Sequence, residues 1–274
     1  MPLDTAALLR GGSFAAVLVL LASAEAIWPR RSRQHSRWKR WGTNIALIAI
    51  GSVVLRLLLP LVALSMAAIG SANGWGLFNV VDWPPLVEIV LAIVLLDLAI
   101  YAQHVATHRI PVLWRLHKVH HADRDLDVSS GFRFHPFETI ASMGFKVSVV
   151  ALLGPAVVAV FIFEILLGTL PMFNHANLRL PLWLDRWLRF LVVTPDMHRV
   201  HHSTIERETN SNYGFNLAIW DHLFGTYRNQ PELGHEGMDI GLDEYDGAQA
   251  SGLISSLSMP FDNAAQSRAR EVTE

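Results

Sequence analysis

The chain has 274 residues, 51% of them hydrophobic and 17% charged, with a mean hydropathy of +0.31, which is too apolar for an ordinary soluble domain and indicates a membrane protein. There is no cysteine, which excludes disulfides, thiolate catalysis, iron–sulfur clusters and cysteine-ligated zinc. The formal net charge of −2 says little about partners, and no nucleic-acid partner is expected.

Arg10 precedes an apolar run from Gly12 to Ile27. The run lacks a good small-residue cleavage site and is followed by Arg30 and Arg31, so it reads as a retained helix rather than a secretory signal. Three further apolar regions follow, Asn44 to Gly70, Leu86 to Tyr101 and Ile140 to Leu170. About 20 apolar residues cross a bilayer core. Arg30, Arg31, Arg33, Arg37, Lys39 and Arg40 lie between the first two regions without an acidic residue, which places that loop in the cytoplasm. The stretch from Ser71 to Pro85 carries Asp82, no Lys or Arg, and the interfacial anchors Trp75 and Trp83, which fits the opposite side. The amino terminus is then outside, and the third region emerges in the cytoplasm at Tyr101.

The fourth region is too long for one span and is interrupted by Gly154-Pro155. It is expected to fold as a hairpin with arms of about 15 residues, roughly 22 Å each. A hairpin keeps His135 and His175 on the same side of the membrane. After Leu180, Trp183, Trp187 and Phe190 share a face with Arg186 and Arg189, the pattern of an interfacial helix. Beyond Arg228 the chain turns polar and acidic, and a mobile or loosely docked tail is expected. The predicted fold is all-α: a polytopic membrane protein with about four membrane regions, the last a helical hairpin, and a cytoplasmic helical cap carrying the histidines. Its expected divisions are an N-terminal transmembrane part (1–84), a catalytic domain (85–228) and a polar tail (229–274).

Ten of the 13 histidines lie between His104 and His202. His104 and His108 are four apart; His117, His120 and His121 form one H-x-x-H-H group, and His198, His201 and His202 form another. Residues at i, i+3 and i+4 share a helical face, so each group can aim three imidazoles in one direction. Imidazole is a poor core former and a poor helix former, and a repeated pattern of this kind has no packing rationale. Two triplets and a pair suit two metal ions. His175 is a further candidate, and so is His135, although a proline-adjacent histidine serves equally well as a loop hydrogen-bonding group. His35, His222 and His235 are expected to be structural. Imidazole alone does not choose among Zn, Cu, Fe and Ni. A hydrolytic zinc centre generally keeps three protein ligands and a carboxylate base, and no H-E-x-x-H is present.

In order along the chain stand His104-x-x-x-His108, L-W-R-L-H-K-V-H-H from Leu113 to His121, R-F-H-P-F-E from Arg133 to Glu138, M-H-R-V-H-H from Met197 to His202, Asn212-Tyr213-Gly214, and W-D-H-L-F-G-T from Trp220 to Thr226. Together these blocks resemble the fatty acid hydroxylase and sterol desaturase superfamily, over roughly Asp97 to Tyr227. The resemblance implies two iron ions, with zinc possible in the purified protein, and O₂ as co-substrate. It further implies oxidation of a lipid C–H bond in the bilayer by hydroxylation or desaturation. It assigns ligand roles to His104, His108, His117, His120, His121, His175, His198, His201 and His202. Some relatives have a second histidine four residues after the position of His175. Arg179 stands there in this chain, leaving His135 as the candidate tenth ligand.

Asp97 and Tyr101 share a helical face with His104 and His108, and a carboxylate inside an apolar helix is costly without a partner or task. Asp97 is expected to accept a hydrogen bond from a ligand imidazole or to pair with another segment. Glu164, eleven residues before His175, is a second candidate if the helix survives Pro171, and Asn174, Asn177 and Asp196 flank ligands similarly. Arg56 has no evident role. No flavin or nicotinamide fingerprint is present, so electrons are expected from an external ferredoxin, cytochrome or reductase, with the basic loop as its docking surface. The competing readings are a membrane metal transporter and a zinc-dependent membrane hydrolase.

Overall fold

The computed structural model describes residues 3–59 and 62–262. Among them nine helices position the histidines: α1 (Leu3–Ile27), α2 (Arg37–Leu58), α3 (Ala63–Asn73), α4 (Pro85–Arg109), α5 (Pro111–His121), α6 (Pro136–Leu153), α7 (Val157–His175), α8 (Leu182–Leu188) and α9 (Pro195–His201). No named β-strand occurs among the described residues. Five stretches are long and apolar enough to cross a membrane: Asp4–Ile27, Arg37–Asn79, Pro85–Arg109, Pro136–Leu153 and Val157–His175. The second of these is divided. Leu59, which precedes Pro60, has φ −131° and ψ 80°, as expected of a residue that proline drives out of the helical region, and α2 ends there.

Proline stands in the first turn of α4, α5, α6 and α9, where its missing N–H costs nothing and its fixed φ suits a helix start. The hairpin predicted for the fourth region is α6–α7. Gly154 ends α6 with φ +60°, and α7 begins at Val157. The arms have 18 and 19 residues, hence about 27–28 Å, longer than the sequence reading gave because α6 starts at Pro136 and Pro171 lies inside α7 without ending it. Gly76 lies against this turn. A Cβ on Gly154 would come within 1.9 Å of the Trp75 carbonyl oxygen and 2.9 Å of Gly76 Cα. Gly154→Ala is therefore expected to cost about 2 kcal/mol or more, from a strained positive φ and a backbone clash together, read as a lower unfolding temperature of the detergent-solubilised protein.

Helix α7 packs against α1, α3, α4 and α9, and α2 against α6. Ala6, Ala63, Ala67, Ala92 and Ala159 are buried within the bundle. Lipid is as apolar as these side chains, so helices in a membrane gain from close backbone approach and van der Waals contact rather than from expulsion of water.

Several charges of the basic loop turn inward. Arg40 is fully buried and reaches Asp123 at 2.6 and 2.8 Å and Asp127 at 2.7 Å. Arg30 pairs with Asp196 and Glu236, and Arg31 donates to the Met238 carbonyl at 2.8 Å. The loop is thus largely an internal clamp. Arg56 is exposed near the end of α2.

The polar tail is not loosely docked over its described part. Tyr245 and Met259 pack with Leu47 and Val119, and buried Arg133 donates to the Ala250 carbonyl and Ser256 Oγ at 2.7 and 2.9 Å. A few apolar residues and one buried guanidinium fix a segment whose composition alone reads as mobile. Residues 263–274 lie outside the described residues. In α8, Trp183 and Trp187 are exposed as expected of an interfacial helix, whereas Arg189 is buried against Asp185.

Candidate metal centre

Four helices bring nine imidazoles together. His104 and His108 lie one turn apart near the end of α4; α5 supplies His117, His120 and His121; His175 ends α7; and α9 with the residue after it supplies His198, His201 and His202. They form two groups, His104, His108, His117, His121 and His201 in one and His120, His175, His198 and His202 in the other, with the potential ligand atoms of each group within 4.8 Å of one another. His121 and His202 stack at 4.4 Å, so the groups adjoin.

The orientation of the rings tests whether metal fits. His104, His120, His175 and His201 donate Nδ1–H to the carbonyls of Tyr213, Arg133, Pro171 and Ser211 at 2.7, 3.2, 2.7 and 2.7 Å. A carbonyl has no proton to give, so Nδ1 carries the hydrogen and Nε2 of the neutral ring presents a lone pair. Yet Nε2 of His104 lies 3.1 Å from Nε2 of His201, and Nε2 of His120 lies 3.0 Å from Nε2 of His175. Two lone pairs facing each other are repulsive unless a cation lies between them. Burial and the neighbouring histidines push His120, His121, His198 and His202 well below the usual histidine range, and burial holds His201 down at about 3, so these rings are neutral at pH 7. Both ring nitrogens of His108, Nε2 of His121 and Nδ1 of His198 and His202 are buried without hydrogen-bond partners. The donor set therefore fits two soft-to-borderline divalent ions.

His117 is held differently: its Nδ1–H donates to Glu138 Oε1 at 2.6 Å, while its Nε2 faces His104 Nε2 at 3.2 Å. Glu138 is buried in the first turn of α6 and belongs to the R-F-H-P-F-E block, a signal the sequence offered without saying which residue would be used. A carboxylate behind an imidazole fixes its orientation and raises its basicity. Glu138→Ala is expected to weaken metal binding by about 10–100-fold, measured by competition with a chelator of known affinity.

The expected tenth ligand, His135, stands apart from both groups. Its Nδ1 accepts from Phe137 N–H at 3.2 Å and its Nε2 lies 3.3 Å from the Leu257 carbonyl, so the ring caps α6 and meets the tail. Asp97 accepts no hydrogen bond from a histidine. Its oxygens take Asn216 Nδ2, Leu217 N–H and Trp220 Nε1 at 2.7, 3.2 and 2.8 Å, which pins the loop after α9 to α4. Tyr101 shares a hydrogen bond with Thr226 Oγ1 at 2.9 Å and stacks on Phe224. Glu164 turns away from His175 to pair with Arg10 and Lys146, and Asn174 donates to the Phe215 carbonyl at 2.9 Å. Asp196 meets Arg30 and Arg199, and Asn177 exchanges hydrogen bonds with the Arg31 backbone.

The N-Y-G and W-D-H-L-F-G-T blocks form one loop organised by Asp221, a residue the sequence reading did not single out. Its buried carboxylate accepts from Tyr213 N–H and Gly214 N–H at 2.7 Å each and from Thr226 Oγ1 at 2.6 Å. This loop carries the Tyr213 and Ser211 carbonyls that orient His104 and His201. Beside the five-histidine group, α4, α6 and α7 enclose an apolar cavity of about 200 Å³ lined by Ile100, His104, His117, Met143, Leu167 and Phe215 among others.

A family model described as fatty acid hydroxylase matches residues 89–226. The ornithine lipid hydroxylase of Rhizobium tropici is 32% identical over 180 residues, 66% of this chain and 52% of that protein. An alkylglycerol monooxygenase of Danio rerio is 30% identical over 144 residues, 50% of this chain and 30% of that protein, and a cholesterol 25-hydroxylase of Mus musculus is 27% identical over 146 residues, 53% and 48%. The matched stretch spans about half the length of these relatives or less. No solved structure matches the chain.

Proposed function

This chain belongs to the fatty acid hydroxylase family, and from that premise we propose that it is a multi-pass membrane oxidoreductase that uses two iron ions and O₂ to oxidise a C–H bond of a lipid. The observation that carries the reading is the convergence of nine imidazoles in two adjoining groups beside an apolar cavity. His104, His108, His117, His121 and His201 would hold one ion, and His120, His175, His198 and His202 the other. Iron held there supplies activation of O₂ and removal of hydrogen from an unactivated carbon.

The chain's own residues supply position and a dry site. Glu138 and the carbonyls of Tyr213, Ser211, Arg133 and Pro171 fix the ring tautomers, so the lone pairs are organised before metal arrives. Ile100, Met143, Leu167 and Phe215 give the cavity an apolar wall that accepts an alkyl chain and excludes water beside His104 and His117. The basic loop before α2 supports a centre on the cytoplasmic side. With no flavin or nicotinamide fingerprint in the sequence, electrons come from an external ferredoxin, cytochrome or reductase. The relatives' printed names support hydroxylation ahead of desaturation. The test is growth of cells with and without the active protein under ¹⁸O₂, followed by lipid mass spectrometry. A lipid carrying one heavy hydroxyl oxygen, present only with the active protein, is expected, whereas no protein-dependent oxygenated or desaturated lipid would defeat the reading.

A further inference from the structure

Away from the histidines, the polar lining of the cavity beside the five-histidine group comes from Gln103 and Thr107 of α4 and from one side of α6, where Glu138, Thr139, Ser142 and Lys146 stand. Glu138 is bonded to His117, at the metal end. Lys146 lies eight residues further, so roughly 12 Å along the helix and about 15 Å from the start of a membrane-crossing segment. It is 8% exposed, and Lys146 Nζ lies 3.3 Å from Glu164 Oε1. Arg10 of α1 pairs with the same carboxylate. Buried Lys146 and Arg10, whose side chain is 38% exposed, thus share one buried carboxylate, a formal excess of one positive charge. An uncompensated charge there is costly unless something neutralises it. The Lys146 ammonium lines a cavity, so a bound molecule can supply the missing anion.

Resting on the reading of this cavity as the lipid site, we propose that Lys146 is a specificity residue that receives an anionic group of the lipid, a carboxylate or phosphate oxygen, and thereby sets the carbon presented near His104 and His117. The occupant is an amphiphile whose anionic group sits roughly 12 Å from the carbon nearest the histidines. Glu164 competes with it for Lys146. Removing Glu164's charge therefore strengthens selection for an acid, whereas removing that of Lys146 abolishes it. A lysine that merely ties α6 to α7 shows neither effect.

The experiment uses the metal-loaded full chain in nanodiscs of neutral phosphatidylcholine, with a photo-crosslinking alkyl probe displaced by a long-chain fatty acid, the alkyl phosphate, the primary alcohol or the methyl ester of equal chain length. The acid or the phosphate is expected to compete about tenfold better than the alcohol and ester, and the better of the two identifies the group. Lys146→Gln should remove the preference while leaving competition by the alcohol unchanged, Lys146→Arg should retain it, and Glu164→Gln should widen it. Equal competition by acid and alcohol in the wild type overturns the proposal, as does a preference that survives Lys146→Gln or narrows in Glu164→Gln. Should Lys146→Gln fail to fold, the wild-type comparison and Glu164→Gln still decide. Binding is read without turnover. Selective binding in a protein that oxidises nothing would count against the redox reading alone, and unselective binding in an active protein against this proposal alone.

Discussion

Replacing His175 with alanine is expected to reduce the bound metal from about two ions per chain to about one and to lower turnover by roughly 10³-fold or more, about 4 kcal/mol of barrier. His175 is the α7 contribution to the four-histidine group, its Nε2 standing 3.0 Å from that of His120 and 3.1 Å from that of His198. The other three members come from α5 and from α9 and its following residue, so His175 is the one imidazole that α7 gives the group. His121→Ala should likewise remove one ion, from the other group. Substitution of His135, which caps α6 and meets the tail, should leave the metal content unchanged. Elemental analysis of the three purified variants checks all of this. Loss of metal from His135→Ala equal to that from His175→Ala would contradict the grouping.

Asp221→Ala is the second large effect. The carboxylate is fully buried and accepts three hydrogen bonds, so its removal strands two backbone N–H groups, at about 1–3 kcal/mol for each buried group left unpaired, and leaves the Thr226 hydroxyl with Tyr101 as its partner. The sum is about 2–6 kcal/mol, a large share of the stability of an ordinary domain. The loss also reaches the site, because the loop that Asp221 holds carries the carbonyls behind His104 and His201. Denaturation midpoints should fall, and metal should leave the five-histidine group before the other, observed as two phases of release to a chelator. Asp221→Asn keeps one acceptor oxygen and is expected to lie between the wild type and Asp221→Ala. Release in a single phase with an unchanged denaturation midpoint would mean that the loop is held by something else.

Eight of the nine converging histidines were legible because their spacing is helical: the i, i+3 and i+4 positions of a helical segment must share a face whatever else the chain does. The hairpin was legible from Gly154-Pro155, and the apolar regions from composition. What could not be read were pairings across distant segments. Asp97 was correctly marked as a carboxylate needing a partner, but the partner is a loop 119 to 123 residues away rather than the histidine on its own helical face. Arg40 looked like one more cation of a solvent-facing loop until its aspartates at 123 and 127 were brought beside it. His135 and His175 were alike as single histidines outside the triplets. The difference lies in backbone geometry: one sits before a helix-starting proline and caps that helix, while the other ends α7 with its ring turned back on the Pro171 carbonyl. Polarity made the described tail look loose, and the few residues that dock it, Tyr245 and Met259 among them, are too sparse to stand out as a periodic pattern.

The proposed function requires one chain to hold two metal ions between these nine imidazoles. Anaerobic titration of the metal-free, membrane-reconstituted protein with Fe(II), followed by removal of unbound ion and elemental analysis, measures it directly. A plateau at about two iron ions per chain is expected. A plateau at about one, or none retained, would contradict it.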